Sequence, residues 1–243
     1  MRRLEALRAD IGVLRAMARG MPEAATHAQR LAAFYAPQAA DYDRFRERLL
    51  HGRDALIASI PLAAGARVVD LGGGTGRNFE HFRERQSLIA SYEVVDLCAP
   101  LLERARARSR QAPQLRAVEG DATRWQPDAP VDVVILSYAL TMIPAWREAI
   151  ANARAMLRPG GILAAVDFHV SAAQPPHGRD RHRRLARWFW PRWFAHDGVE
   201  LDAGRLAGLC EAFADHELVE ARAPVPYLPL LRVPYYRFLG HRR

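Results

Sequence analysis

Lysine is missing from this 243-residue chain, whose 35 basic residues are all arginine. Arginine suits bidentate phosphate contacts, but a GC-rich coding bias accounts for the pattern more simply, because composition alone is a weak guide. Cysteine is scarce. Cys98 and Cys210 are too few and too isolated for a disulfide framework or a C-x-x-C metal site, which predicts a reducing, cytoplasmic setting and no metal. Long apolar runs are lacking too. None approaches the roughly 18 residues of a membrane span, and arginines interrupt the N-terminus where a signal peptide needs its apolar core. There is no internal repeat and no low-complexity linker. Only 27 acidic residues oppose the arginines, and the net charge of +8 implies an anionic partner: a lipid surface, nucleic acid or an acidic substrate.

What is present is a strand, a glycine loop and a helix start at Val68-Val69-Asp70-Leu71-Gly72-Gly73-Gly74-Thr75-Gly76-Arg77-Asn78. The β-branched residues suit a parallel strand buried on both faces, and the glycines let backbone approach a ligand closely. A dinucleotide fingerprint, G-x-G-x-x-G, needs glycine where Arg77 stands; the spacing here is G-x-G-x-G at Gly72, Gly74 and Gly76. That favours S-adenosylmethionine over NAD. A second strand, Tyr92 to Leu97, places Asp96 at its carboxyl end to accept ribose hydroxyls, a requirement both cofactors share. After a short strand at 115–118, Asp121 offers an acceptor for the adenine amine, although Asp121-Ala122-Thr123 also reads as a plain turn or helix N-cap. The trio resembles the class I methyltransferases.

From Arg67 onward strands and helices alternate: strand 67–71, helix 76–84, strand 92–97, helix 99–109, strands 115–119 and 131–137, helix 145–156, strand 162–168. Two more strands fall at 216–222 and 235–240. The pattern predicts a Rossmann-like, doubly wound, mostly parallel seven-stranded α/β sheet, with an N-terminal helical cap over 1–66 and the cofactor-binding domain over 67–243. Arg158-Pro159-Gly160-Gly161 punctuates the stop of the helix before the fifth strand. Residues 1–20 form an amphipathic stripe of Leu4, Leu7, Ile11 and Leu14 among arginines, suited equally to a membrane surface or to packing on the sheet or a second subunit. A further helical region spans 39–59. The insertion at 171–200 runs from Pro175 through five arginines to Trp188-Phe189-Trp190-Pro191-Arg192-Trp193-Phe194; core packing, a lid in contact with lipid, and nucleic-acid binding all fit it.

Several segments together resemble the betaine-lipid N-methyltransferases, in particular the methyltransferase half of fused betaine-lipid synthases. They are Tyr42-Asp43 with Phe45-Arg46 and Gly52-Arg53; Asp70 to Thr75; Val95 to Cys98; Ser137-Tyr138 with Met142-Ile143-Pro144; Ala165 to Val170; Trp190 to Phe194; and the tail Val225-Pro226-Tyr227-Leu228-Pro229 with Leu231 to Tyr236. The likeness covers roughly residues 35 to 240 and lacks the aminocarboxypropyl-transferase half, which a separate protein would supply. It implies methylation of the amine of a lipid-linked homoserine to a quaternary ammonium, by a cytoplasmic protein peripheral at the inner membrane face, with an anionic membrane surface as partner. Asp70 and Gly72, Gly73, Gly74, Thr75 and Gly76 would hold the methionyl end, covered by Tyr42 and Arg53. Asp96 would hold the ribose and Asp121 with Ala122 the adenine, while Asn78, Leu97 and Ser137 complete the cofactor set.

Tyr138 and His169 are the candidate catalytic residues, because both stand at carboxyl ends of strands, where open α/β sheets place ligands. A lone histidine there is otherwise a hydrogen-bonded structural residue. Tyr227, Tyr235, Tyr236, Trp188, Trp190 or Trp193 would face the growing cation, and Arg232 the homoserine carboxylate. Two other readings keep the same cofactor residues: a methyltransferase for a soluble amine or hydroxyl, and a silent S-adenosylmethionine-binding subunit. Nucleic acid is the least favoured partner, since no Asn-Pro-Pro-Tyr-like step follows the fourth strand.

Overall fold

Successive residues of a strand point to opposite faces of its sheet. In the central strands of this chain nearly all of them are apolar, so the sheet must be covered on both sides. The computed structural model describes residues 20–39, 42–226 and 228–243. The amphipathic stripe of residues 1–19, the side chain of Tyr42, and Tyr227 lie outside the described residues.

Seven strands among the described residues form one sheet: β1 (Ala66–Leu71), β2 (Ile89–Asp96), β3 (Leu115–Glu119), β4 (Val131–Ser137), β5 (Leu157–Phe168), β6 (Asp215–Val225) and β7 (Leu228–His241). Their order is β3-β2-β1-β4-β5-β7-β6. The first five run parallel, and β7 inserts antiparallel between β5 and β6. All seven strands expected from the sequence are present.

The period-two alternation sorts the core into two layers. Val69, Val134, Leu136 and Leu163 face α5 (Trp146–Met156) and α7 (Ala203–Ala212). Val68, Val133, Ile135 and Ala164 face α3 (Arg53–Ser59) and α4 (Ala99–Ser109). Helix α1 (His27–Tyr35) lies against the start of α4, where Leu31, Phe34 and Tyr35 meet Cys98 and Leu101. Helix α6 (Arg184–Ala195) forms in the insertion; its Trp190 and Phe194 close a third cluster with Phe168, Val170 and Val233.

Two helices differ from expectation. The region 39–59 is not continuous: it divides into α2 (Tyr42–Leu49) and α3 at Gly52, whose φ of 82° is left-handed. A Cβ at Gly52 would stand 2.5 Å from the Tyr235 ring, so the close approach to β7 decides this break. The expected helix 76–84 is instead a 3-10 segment, Arg77–Leu88, broken at Arg83. Its tighter turns let Asn78 reach Asp70 while Phe79 and Phe82 pack edge-on to Tyr92.

The β6–β7 pair extends further than β5 does. Pairing of β5 with β7 stops at Phe168 opposite Tyr235, whereas β6 and β7 continue to Val225 opposite Leu228. The hairpin therefore projects as an arm beyond the carboxyl edge of the sheet, the edge from which β1, β2 and β4 deliver their loops.

Candidate functional site

A cavity of about 270 Å³ opens at that carboxyl edge. Its floor is the glycine loop, whose backbone is tied to the end of β2. Gly72 N–H donates to the Val95 carbonyl at 2.7 Å and Gly74 N–H to Asp96 Oδ2 at 2.8 Å. The other Asp96 oxygen accepts from Cys98 N–H at 2.7 Å. Each carboxylate oxygen has lone-pair capacity left for a ribose hydroxyl. Burial raises the pKa of Asp96 against the pull of these N–H donors. Gly72 needs its missing side chain: its φ is +68°, and a Cβ would lie 2.7 Å from Cβ of Ala139 on the loop after β4.

Gly72, Gly74, Asp96, Leu97, Asp121, Ala122 and Tyr138 all line the cavity, so the structure brings these expected site residues together. Asp121 also caps its own turn, accepting from Thr123 N–H at 2.9 Å and from the Thr123 hydroxyl at 2.7 Å. These bonds hold its carboxyl below the usual range despite the opposing effect of burial. The turn and the ligand-facing role anticipated for Asp121 are thus compatible.

Other expected contacts sit behind the cavity. Asp70 is fully buried beneath the loop, accepting from Tyr92 Oη at 2.8 Å and Asn78 Nδ2 at 3.1 Å. Burial pushes its pKa up to about 6, opposed by those hydrogen bonds. A Cβ on Gly73 would strike the Asp70 carboxyl at 2.7 Å. Asp70, Gly73 and Asn78 therefore shape the loop from below rather than line the cavity. Gly76 starts the 3-10 segment, and Thr75 donates to Asp43 on α2 at 2.6 Å. Arg53, expected over the methionyl group, is buried and directed to Glu47 and the Leu50 carbonyl, each at 3.3 Å. Ser137 Oγ is buried with no hydrogen-bond partner among the described residues.

Tyr138 follows β4 in a left-handed conformation, φ +54°, uncommon for a bulky residue and costly unless the surroundings enforce it. Its N–H bonds the Val166 carbonyl at 2.7 Å and its hydroxyl donates to the His51 carbonyl at 2.6 Å. Burial raises its pKa well above the ordinary phenol value. The hydroxyl is therefore protonated and its proton is engaged, which makes Tyr138 a positioning wall of the cavity rather than a proton acceptor. The adjoining loop is held by Asp167, which accepts from Thr141 N–H at 3.0 Å and the Thr141 hydroxyl at 2.7 Å.

His169 does not reach the cavity. Its Nε2 lies 3.1 Å from Glu220 on β6, and its ring packs 5.6 Å from that of His182. Glu220 also accepts from Arg179 Nε at 2.8 Å and Asp180 N–H at 3.0 Å. Against burial, the hydrogen bonds from His169 and Arg179 draw Glu220 down to about 2. The carboxylate draws the imidazole toward the hairpin, where it fastens the insertion to β6. The aromatic candidates also lie elsewhere: Trp190 and Tyr236 are buried in the core, Tyr235 packs beside Gly52, and Trp188 and Trp193 are exposed. Arg232 is exposed and donates to the Arg222 carbonyl at 2.9 Å.

Sequence reasoning missed the wall opposite the glycine loop. His27, Leu31 and Tyr35 of α1 line the cavity. Burial, then Arg30, lowers the His27 pKa, leaving the ring uncharged at neutral pH. A signal was available: Thr26 and Gln29 form a reciprocal capping box, the T-x-x-Q pattern that starts a helix. Among the described residues no cluster of metal-ligating side chains occurs, and no helix is long and apolar enough to cross a membrane.

Residues 41–215 match a family described as a methyltransferase domain. The chain is 30% identical over 184 residues to a trans-aconitate 2-methyltransferase of Methylobacterium radiotolerans, covering 75% of this chain and 66% of that protein. It is 35% identical over 131 residues to a protein of the same name from Azoarcus sp., covering 54% of this chain and 49% of that one. The chain thus spans about half to two thirds of the length of these curated relatives. Among solved structures, a Burkholderia thailandensis 1,6-didemethyltoxoflavin-N1-methyltransferase holds 1,6-didemethyltoxoflavin and S-adenosylhomocysteine. It superposes with a TM-score of 0.60 at 21% identity over 91% of this chain and 92% of that one, a likeness of fold. A family match across most of the residues, on a sheet of this strand order with its cavity at the glycine loop, carries one conclusion: the chain belongs to the S-adenosylmethionine-dependent class I methyltransferase family.

Proposed function

We propose that this protein is an N-methyltransferase that acts on the amine of a lipid-linked homoserine, carrying it to a trimethylated betaine. One observation favours an amine over an acidic acceptor. Although the chain holds 35 arginines, none is among the described residues lining the cavity. The lining is Asp96, Asp121, tyrosines, an uncharged His27 and apolar side chains. A polycarboxylate brought there would meet no arginine in the lining itself, a costly arrangement in a half-buried site. An amine that becomes a permanent cation meets the Tyr35 and Tyr138 rings of the lining instead. The segmental resemblance to betaine-lipid N-methyltransferases, including the tail Val225 to Tyr236, adds the lipid-linked homoserine.

S-adenosylmethionine, when bound, supplies an electrophilic methyl group. In this reading Asp96 accepts the ribose hydroxyls, Asp121 and Ala122 meet the adenine, and the backbone of Gly72 to Gly76 admits the methionyl end. Leu31 and Tyr35 exclude water from above, and Tyr138 fixes the angle of approach. Alignment of this kind is worth up to about 7 to 11 kcal/mol in favourable cases. The relatives named for trans-aconitate support a second reading, methylation of a small soluble acid. Purified protein given labelled S-adenosylmethionine with either diacylglycerylhomoserine or trans-aconitate separates the two. Label in the lipid, with three methyl groups by mass spectrometry, is the expected outcome; label in trans-aconitate alone replaces this reading with the second.

A further inference from the structure

Away from the cavity, the least ordinary surface belongs to α6 and the β6–β7 arm. Leu185 is 71% exposed, Trp188 54% and Leu230 on the arm 96%. Leu185, Trp188 and Arg192 recur at helical spacing on one side of α6, opposite the buried Trp190 and Phe194. The Arg192 guanidinium lies 4.8 Å above the Trp188 ring. From Arg181 to His196 the chain has five arginines and no acidic residue, and Arg181, Arg183, Arg184 and Arg192 are exposed. The inner side of α6 packs with Val225, Leu231 and Val233 of the arm in a single cluster that Tyr138 and Met142 also join. The helix and the arm therefore adjoin the cavity where Tyr138 and Met142 line it.

We infer that the outward side of α6, together with the tip of the arm, is a docking surface for an anionic phospholipid bilayer. The charge pattern selects this occupant. Guanidinium groups unopposed by carboxylates pair with lipid phosphates, indoles settle at the headgroup level, and leucines enter the acyl boundary. Among the described residues no helix is long and apolar enough to cross the bilayer, and this surface would meet it from the side. The surface deepens the lipid-acceptor reading, and its purpose rests on that reading. Its existence is tested independently.

The purified protein is sedimented with vesicles of phosphatidylcholine alone or mixed with phosphatidylglycerol. Binding is expected only to the mixed vesicles, weakening about tenfold or more as salt is raised. The double substitution L185E/W188E should weaken it by about tenfold or more while leaving S-adenosylhomocysteine affinity and melting temperature unchanged, because both side chains point to solvent. Leu230→Glu should cause a smaller loss. Absence of binding to mixed vesicles overturns the proposal, as does binding indifferent to the substitutions. So does a wild-type dimer, measured by light scattering, that L185E/W188E dissociates without altering vesicle binding. Vesicle binding without methylation of diacylglycerylhomoserine removes the acceptor reading alone; methylation in detergent without vesicle binding removes the docking surface alone.

Discussion

Thr75 of the glycine loop donates its hydroxyl to Asp43 of α2 at 2.6 Å, so the N-terminal helices and the candidate cofactor loop are fastened together. Arg108 reinforces the joint, donating to the other Asp43 oxygen and to the Thr75 carbonyl, each at 2.6 Å. Replacing Asp43 with Ala removes the acceptor shared by both groups. Affinity for S-adenosylhomocysteine, read by calorimetry, should fall about tenfold, or about 1.4 kcal/mol. An unchanged affinity would mean that the loop keeps its shape without α2.

Asp96 serves two backbone donors, Gly74 N–H and Cys98 N–H. In Asp96→Asn one oxygen becomes an amide NH₂ that faces a donor. The loop end should loosen and the ribose acceptor be impaired. A loss of about 2 to 3 kcal/mol in cofactor affinity is expected, since a group left unsatisfied costs more than a hydrogen bond contributes net. Equilibrium dialysis with labelled S-adenosylmethionine measures it, and near-normal binding would remove Asp96 from the site.

Tyr138→Phe deletes the hydroxyl that holds the His51 carbonyl. Chemical denaturation should show a cost of about 1 to 2 kcal/mol. Turnover should drop more than cofactor affinity does if, as proposed, this bond sets the angle of the ring toward the acceptor. Kinetics identical to wild type would leave Tyr138 with a packing role only.

His182 is buried beside His169, and its Nδ1 accepts from Ser171 N–H at 3.0 Å. Burial, then His169, lowers its pKa from 6.5 to about 4. The unfolded chain therefore binds the extra proton first, and the stability present above pH 6.5 declines as pH falls toward 4. Between pH 7 and pH 4.5 the wild type should lose about 1 to 3 kcal/mol more in urea denaturation than His182→Asn, whose amide oxygen can accept the same bond. Equal losses in the two proteins would contradict the assignment.

Much of the fold was legible in local pattern. The seven strands follow from apolar residues too dense for one-sided burial, and helix Ala99–Ser109 came out with the boundaries its sequence suggests. The cavity residues Gly72, Gly74, Asp96 and Asp121 were legible because each sits just after a strand, and in a parallel sheet such positions share one edge. The loop's supports were harder to separate from its ligand face. Asp70 and Asn78 are polar residues in the same motif, and only their bonds to each other and to Tyr92 show that they face inward.

Strand periodicity and glycine spacing are local properties that short-range sterics enforce, and they were enough for the sheet, the glycine loop and the class of cofactor. Tertiary structure alone decided the rest. It broke the helix at Gly52 against Tyr235, turned His169 away toward Glu220, and set His27, Leu31 and Tyr35 over the cavity. Each of these depends on a partner far away in the chain, and the pairing energy of a distant carboxylate or ring leaves no mark on the residues next to it.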